Sequence, residues 1–131
     1  MFDRLEITNL NLTAPAKIMK LPEIAYFTDN VAHMTTFYKT LLGSDPVHAS
    51  DDMAIFMSDH TKIFIHKTYV PGPGELPCEN HKAFTVENVD TAAADLEKAG
   101  MIIEVAPADY YWGRSAYLRD PDGHLIELTA G

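Results

Sequence analysis

Two stretches of the chain, EIAYFTDNV at residues 23–31 and HKAFTVENV at residues 81–89, decide the fold because they read as two copies of one pattern. Placed one under the other, Asn30 aligns with Asn88 and Val31 with Val89, at a constant offset of 58 residues. Each stretch starts as a short strand and leads into a helix. The chain therefore contains an internal duplication of a strand–helix unit. Two copies are too few for a solenoid, which needs three or more repeats.

The helix in each copy is marked by apolar residues at helical spacing and by a glycine at its end. The glycines are Gly43 and Gly100. The apolar residues are Val31, Met34, Tyr38 and Leu41 in the first copy, and Val89, Ala92, Ala93, Leu96 and Ala99 in the second.

Runs of β-forming residues follow each helix. The first half has such runs at residues 53–57 and 62–66, with a weakly marked strand near Val47, and the second half has them at 101–105, 115–119 and 124–128. Each half is then a βαβββ unit of about 50 residues, which is marginal for independent stability. The sequence predicts an α+β fold in which two βαβββ modules form a curved mixed sheet around a central cavity.

The boundaries of the domain and of its two halves follow from the local composition of the sequence. We predict an N-terminal extension at residues 1–20 and one domain at 21–131, with half one at 21–70, a linker at 71–79 and half two at 80–131. The linker contains PGPGELP at residues 71–77, a sequence that suits neither a helix nor a central strand.

Composition limits the possible partners. The net charge is −9 and we find no basic stripe, so nucleic acid and anionic membranes are poor partners. No apolar run reaches the roughly 18 residues of a membrane span, and the N-terminal residues lack the apolar stretch of a signal peptide. The chain has one cysteine, Cys78, which suits a reducing compartment. We expect a cytoplasmic protein whose partners are small molecules, metal ions or other protein chains.

Strand alternation places three ionisable residues on one face of the sheet. Ile24 and Tyr26 suit the helix side, which turns Glu23 toward the concave side, and the same reasoning turns His81 and Glu127 inward. A carboxylate in an otherwise apolar strand is costly to bury without a partner. A metal ion or another cation would be such a partner.

The stretch WGRSAYLRDPDGHLIEL at residues 112–128 resembles the closing hairpin of the vicinal oxygen chelate superfamily, which includes glyoxalase, bleomycin-resistance protein and extradiol dioxygenase. The strand at His81 resembles the opening of the second βαβββ unit of that family, and the helix ending at Gly43 resembles the end of its first helix. The resemblance runs from about residue 23 to residue 129.

This resemblance implies a divalent metal ion, Zn²⁺, Ni²⁺, Mn²⁺, Co²⁺ or Fe²⁺, bound by residues of the first and last strand of each half. His81 and Glu127 match the ligand positions of half two, and Glu23 matches the first position of half one. The fourth position falls on His66, or on Ile65 or Phe64 if the register shifts. Glu23 or Glu127 would also act catalytically as the proton carrier.

Aromatic residues are the candidates for substrate binding, with a role in core filling as the alternative. Tyr110, Tyr111 and Trp112 precede the final hairpin in a predicted loop, and Phe27 points inward from the first strand. Arg114, Tyr117 and Arg119 are candidates for holding an anionic substrate, with surface roles as the alternative for both arginines.

Three functions are compatible with these patterns. The first is a metal-dependent lyase or isomerase similar to glyoxalase I, chelating two vicinal oxygens of its substrate. The second is sequestration of a hydrophobic or cationic drug-like ligand without chemistry, as in bleomycin-resistance proteins. The third is an extradiol-type dioxygenase, whose two-histidine, one-carboxylate face would need His66, His81 and Glu127. The resemblance further implies a homodimer.

Overall fold

The computed structural model of the protein describes residues 20–130. Lys20, the last residue of the predicted extension, begins the first strand, and residues 1–19 lie outside the described part of the chain. In chain order the elements are β1 Lys20–Thr28, α1 Val31–Leu42, β2 His48–Ala49, β3 Met53–Ser58, β4 Thr61–Lys67, β5 His81–Thr85, α2 Val89–Lys98, β6 Ile103–Tyr110, β7 Gly113–Arg119 and β8 Leu125–Thr129.

The strands of residues 20–130 form one mixed sheet in the order β2-β3-β4-β1-β5-β8-β7-β6. Within each half the first and last strands are parallel neighbours, β1 with β4 and β5 with β8. The two halves join through β1 and β5, which run antiparallel at the centre. The predicted α+β fold of two βαβββ modules is confirmed, and the strands that start each module meet at its centre.

The two aligned asparagines explain why both helices begin where they do. The Asn30 side chain accepts a hydrogen bond from the His33 amide at 3.0 Å, and the Asn88 side chain accepts one from the Thr91 amide at 2.8 Å. Asparagine is favoured at this position because its oxygen satisfies an amide that has no partner within the helix. At the other end of α1, Gly43 adopts the left-handed conformation with φ 69°.

Each helix packs on one face of its own half and leaves the other face free. Under α1 the core contains Val31, Ala54, Phe56 and Ile65. Under α2 it contains Val86, Val89, Ala92, Ala116, Leu118 and Leu128. Alternation therefore places the remaining side chains of β1, β4, β5 and β8 on the concave face. Neither helix within residues 20–130 is long and apolar enough to cross a membrane.

Strand β6 differs most from its prediction. A strand was expected at residues 101–105, but β6 runs over Ile103–Tyr110, so Tyr110 ends a strand and only Tyr111 and Trp112 form the turn to β7. The strand contains Pro107, and its pairing with β7 is irregular between Val105 and Ala108. Proline is tolerated there because β6 lies at the edge of the sheet, where a missing amide hydrogen leaves no neighbour unpaired.

The predicted linker falls in the segment between β4 and β5, residues 68–80, which contains neither helix nor strand. It is nevertheless tied to the sheet. The Tyr69 hydroxyl donates to the carbonyl of Leu76, and the Phe27 amide donates to the side chain of Asn80. This segment therefore covers one end of the concave face. The division of the domain into residues 21–70, 71–79 and 80–131 stays a prediction.

Candidate metal centre

The concave face encloses a cavity of about 650 Å³. Its polar residues come from the central strands, while aromatic and aliphatic side chains from the outer strands, the linker and the β6–β7 turn complete it. The lining residues are Pro22, Glu23, Phe27, Met53, Ile55, Lys62, Phe64, His66, Tyr69, Leu76, Pro77, His81, Ala83, Thr85, Tyr111, Trp112, Tyr117, Glu127 and Thr129.

Three of these residues, Glu23, His81 and Glu127, each offer a ligand atom, and these atoms all lie within 4.8 Å of one another. Strand register explains the convergence. Ala83 on β5 pairs with Glu23 on β1 and with Glu127 on β8, so the two glutamates stand in one row on either side of an alanine. Because the methyl group of Ala83 is short, the two carboxylates can approach each other above it. The sequence interpretation that these three side chains share one cavity agrees with their positions.

His81 is oriented by the backbone. Its Nδ1 lies 2.8 Å from the carbonyl oxygen of Glu79, which can only accept, so Nδ1 carries the proton. In the neutral ring Nε2 is then a lone-pair donor, and it lies 3.2 Å from Oε1 of Glu127. Two electron-rich atoms at this distance need a proton or a cation between them. The donor set fits a divalent ion, with the backbone contact setting the tautomer that a metal-binding histidine requires.

Burial by itself would lower the pKa of His81. The hydrogen bonds to Glu127 and to the Glu79 carbonyl outweigh it and raise the pKa above its ordinary value of 6.5. In the absence of metal, His81 therefore tends to hold a second proton and to form an ion pair with Glu127.

Glu127 is the more firmly held of the two carboxylates. Its Oε2 accepts a hydrogen bond from the Ser115 hydroxyl at 2.7 Å and one from the Trp112 indole N–H at 3.2 Å. Burial alone would raise the pKa of Glu127, but the hydrogen bonds from His81, Ser115 and Trp112 lower it. The side chain is only 6% exposed, so Glu127 is a fixed anion inside the protein.

Glu23 is held more loosely. Its nearest charged partner is Lys62, whose Nζ lies 3.7 Å from Oε1, and its side chain is 24% exposed. Burial, reinforced by the negative charge of Glu127, raises the pKa of Glu23 against the opposing effect of Lys62. A weakly fixed carboxylate with a raised pKa is suited to taking up and releasing a proton.

His66 lies in the cavity wall but outside the three-residue group. Ala25 on β1 corresponds to Ala83 on β5 in the duplication. The residue of β4 that pairs with Ala25 is therefore equivalent to the residue of β8 that pairs with Ala83. These residues are Phe64 on β4 and Glu127 on β8. The fourth ligand position of half one is therefore occupied by Phe64, the two-residue shift that the sequence left open. His66 instead contacts the carbonyl oxygen of Lys67 through Nδ1 at 2.6 Å.

The aromatic candidates occupy different parts of the site. Phe27 and Tyr117 line the cavity, and Tyr117 is buried beside His81. Burial, together with the negative charge of Glu127, strongly raises the pKa of the Tyr117 phenol. Trp112 and the exposed Tyr111 lie at the rim, where the turn between β6 and β7 meets the cavity. Tyr110 does not line the cavity; it supports the rim by stacking on Trp112 at a centroid distance of 4.7 Å.

The two arginines expected to hold an anionic substrate lie outside the cavity lining. Arg114 forms ion pairs with Asp90 and Asp109, and Arg119 forms them with Glu79 and Glu104. The expectation of substrate binding by Arg114 or Arg119 is therefore not supported, because each guanidinium is already paired with two carboxylates.

Comparison with known proteins identifies the family. Residues 20–128 match the model described as the Glyoxalase/Bleomycin resistance protein/Dioxygenase superfamily. The chain belongs to this superfamily. YraH of Bacillus subtilis is 30% identical to the chain and matches 84% of it, over 97% of its own length.

Solved structures similar to this superfamily member share its fold. Protein BH1468 from Bacillus halodurans has a TM-score of 0.68 at 18% identity, over 85% of this chain and 93% of that one. An extradiol ring-cleaving dioxygenase from B. fuscum has a TM-score of 0.64 at 21% identity, over 88% of this chain and 33% of that one.

Sequence reasoning missed three residues around the candidate metal centre of this superfamily member: Lys62, Glu79 and Ser115. Ser115 could have been found, because it lies two residues from Tyr117 on the same face of β7 and that face meets Glu127. Lys62 shares the inward face of β4 with Phe64 and His66, so alternation also predicts its direction. Glu79 acts through its backbone carbonyl, for which side-chain identity gives no signal.

Proposed function

We propose that the protein is a metal-dependent enzyme of the lyase or isomerase type, in which Glu23, His81 and Glu127 hold one divalent ion. The observation that carries the proposal is the convergence of their ligand atoms within 4.8 Å inside the cavity. One nitrogen and two carboxylate donors suit Zn²⁺, Ni²⁺, Mn²⁺, Co²⁺ or Fe²⁺. Three protein ligands leave room for two neighbouring oxygens of a small-molecule substrate.

When bound, the ion supplies Lewis acidity that polarises a substrate carbonyl. The protein residues divide the remaining work. Ser115 and Trp112 fix Glu127, and the Glu79 carbonyl fixes His81, so these two ligands stay in place. Glu23 lacks comparable support and has a raised pKa. We assign to Glu23 the removal of a proton from the hydroxyl-bearing carbon next to the carbonyl and its return to the carbonyl carbon. The hydroxyl proton passes to the former carbonyl oxygen, so the product is an isomer of the substrate.

The rest of the cavity positions the substrate. Phe27 and Tyr117 line its interior, and Tyr111 and Trp112 form its aromatic rim. Apolar side chains around the centre displace water, and interactions between charges are stronger where water is excluded.

Metal content of protein prepared without a histidine tag tests the proposal. We expect one divalent ion per chain and a raised melting temperature on metal addition, because a ligand that binds only the native state stabilises it. His81→Ala should abolish both effects. His124→Ala is the matched control, since His124 also contacts a carboxylate, Asp120 at 2.9 Å, but on the exposed surface. Absence of stoichiometric metal, or a metal response retained in His81→Ala, contradicts the proposal.

Turnover is tested separately with the hemithioacetal of methylglyoxal and glutathione. Glu23→Gln should lower kcat by about 100-fold or more, the usual contribution of a general base. Glu97→Gln, on the exposed side of α2, should leave kcat unchanged. If metal binds but no turnover is observed, the proposed metal centre still stands and this particular substrate is excluded.

A second candidate is sequestration of a drug-like ligand without metal. Two observations favour it: Phe64 replaces a fourth ligand, and Lys62 already pairs with Glu23. Under this alternative, metal-free protein binds a hydrophobic ligand and added metal does not change the affinity. The extradiol dioxygenase alternative receives less support, because the group contains one histidine where that chemistry uses two.

The homodimer implied by the family resemblance remains part of this proposal. Phe37 and Leu41 lie one turn apart on α1 and are 58% and 62% exposed, a strip that a second chain could cover. In sedimentation experiments wild type should be a dimer and Phe37→Asp a monomer. A monomeric wild type would contradict the proposed homodimer.

A further inference from the structure

We propose that Lys62 makes the site selective for an aromatic substrate that carries a single negative charge next to its chelating oxygens. This inference rests on the proposed metal centre and adds the class of substrate to it. It follows from three features of the cavity: the position of Lys62, the balance of charges in the wall and the distribution of aromatic rings.

Lys62 is the only lysine or arginine among the described residues that line the cavity. It lies on β4 directly opposite Glu23 on β1, and its Nζ is 3.7 Å from Oε1 of Glu23. Within residues 20–130 the ammonium has no other charged partner within 4 Å. An ammonium has three hydrogens to donate, and one loose ion pair leaves donors available to a second anion.

The charges in the wall make this second anion favourable when metal is bound. With neutral histidines, the cavity contains two carboxylates and one ammonium, a net charge of −1. A divalent ion changes that to +1. The metal-loaded cavity therefore attracts a single negative charge, whereas the metal-free cavity has no excess positive charge to attract it. If Lys62 were neutral, the metal-loaded cavity would carry no net charge and the attraction would be lost.

The location of Lys62 fixes where the charge lies on the substrate. Lys62 contacts Glu23, a ligand in the proposed centre, so an anion beside Lys62 also lies beside the chelating oxygens. A carboxylate that provides one of those oxygens satisfies both conditions.

The remaining wall selects a flat ring. Aromatic side chains come from both halves of the sheet, with Phe64 on the side of half one and Tyr117 and Trp112 on the side of half two. Rings of this kind favour a planar apolar group between them. Arg114 and Arg119 do not compete for the anion, because both are paired with carboxylates outside the cavity lining.

The test compares two probes of nearly equal shape, 2-hydroxybenzoate and 2-hydroxybenzamide, which share a ring and two neighbouring oxygens and differ in charge. Their affinities are measured by calorimetry on full-length protein loaded with Zn²⁺. We expect wild type to bind the benzoate about tenfold more tightly than the benzamide, the range of a charge-assisted hydrogen bond. Lys62→Gln should reduce this preference to less than about twofold, mainly by lowering the affinity for 2-hydroxybenzoate. Lys67→Gln, an exposed lysine on the opposite face of β4, should leave it unchanged.

The outcomes separate the two proposals. Zn²⁺ binding is measured first, and Lys62→Gln should retain it because Lys62 is not a ligand. If wild type binds no Zn²⁺, the proposed function and this inference both fail. If Zn²⁺ binds but wild type does not distinguish the two probes, or if Lys62→Gln keeps the preference, only the selectivity proposal fails. If metal-free protein shows the same preference as loaded protein, the charge argument is wrong.

Discussion

The two halves of the sheet share one topology but differ in what they contribute to the cavity. Half two provides two of the three clustered side chains, His81 and Glu127, together with Ser115 and Trp112, which hold Glu127. Half one provides Glu23, and at the position equivalent to Glu127 it has Phe64. The position equivalent to Leu125 is Lys62. The two halves thus share one backbone topology, while under the proposed function half two would hold the ion more firmly and half one would add Glu23 and Lys62 to the site.

The largest effect should come from removing the negative charge of Glu127, the buried carboxylate of half two. Glu127→Gln keeps the size of the side chain but removes its charge, so we expect metal affinity to fall on the order of 1,000-fold, as the loss of a ligand should exceed the 10–100-fold cost of an outer contact. Calorimetric titration with Zn²⁺ measures it. An affinity within tenfold of wild type would mean that half two does not dominate the site.

pH should act in opposite directions on the metal-free and metal-loaded protein. The pKa values of His81 and Glu23 are raised above 6.5 and 4.5, so the stability that these two groups contribute to the metal-free fold is fully present below those values and is lost as pH rises through the raised pKa values. The lowered pKa of Glu127 keeps its ion pair with His81 intact below pH 4.5 before protonation removes it. Metal binding requires deprotonated ligands, so its stabilisation should grow as pH rises.

Melting temperatures at pH 5.5 and pH 8, with and without Zn²⁺, measure both trends. We expect the shift caused by Zn²⁺ to be larger at pH 8. In His81→Ala the shift should be absent at both pH values. A larger shift at pH 5.5 in wild type would show that His81 and Glu23 do not bind the ion.

Ser115→Ala tests whether the support around Glu127 matters as well as the ligand itself. The hydroxyl is fully buried and donates to Oε2 of Glu127, so its loss should weaken metal binding by about 10–100-fold. Ser58→Ala, at the exposed end of β3, is the control and should bind as wild type. If Ser115→Ala and Ser58→Ala bind metal with equal affinity, the Ser115 hydroxyl does not support the metal centre and the residue only fills space in the core.

Phe64→Glu sharpens the comparison by giving half one the carboxylate of half two. We expect Phe64→Glu to bind metal about tenfold more tightly than wild type, since a fourth ligand, here a carboxylate, completes the usual coordination. The metal-free variant should melt at a lower temperature, because three carboxylates then repel one another. Phe64→Leu controls for the lost ring. If Phe64→Glu binds metal no better than Phe64→Leu, residue 64 is not equivalent to residue 127.

The smallest effect should come from the arginine that holds the Glu79 segment. Arg119 forms ion pairs with Glu79, whose carbonyl orients His81. Arg119→Gln should lower metal affinity by a few-fold, below the range for a direct outer contact, and should shift the ¹⁵N resonance of His81 Nδ1. Arg114→Gln breaks a similar pair of contacts, to Asp90 and Asp109, away from the cavity. An identical response of both variants would indicate general destabilisation.

Much of this fold could be predicted from local pattern. The paired stretches at residues 23–31 and 81–89 gave both first strands and both helix starts, and the glycines at 43 and 100 gave the helix ends. Alternation assigned Glu23, His81 and Glu127 to one face, because a strand turns successive side chains to opposite sides. Strand β6 was misjudged because the tolerance for Pro107 depends on its place at the sheet edge, which is set by the other strands.

The sequence by itself determined the duplication, the order of the main elements and the direction of the side chains on β1, β5 and β8, since these depend on residues within a few positions of one another. Only the tertiary structure decided which inward residues meet. The pairing of β4 with β1 placed Phe64 and not His66 opposite Ala25, and a shift by two residues in that pairing would have kept the same faces while exchanging these two side chains. The single loose ion pair of Lys62 with Glu23, and the pairing of Arg114 and Arg119 with two carboxylates each, were likewise set by contacts between distant segments.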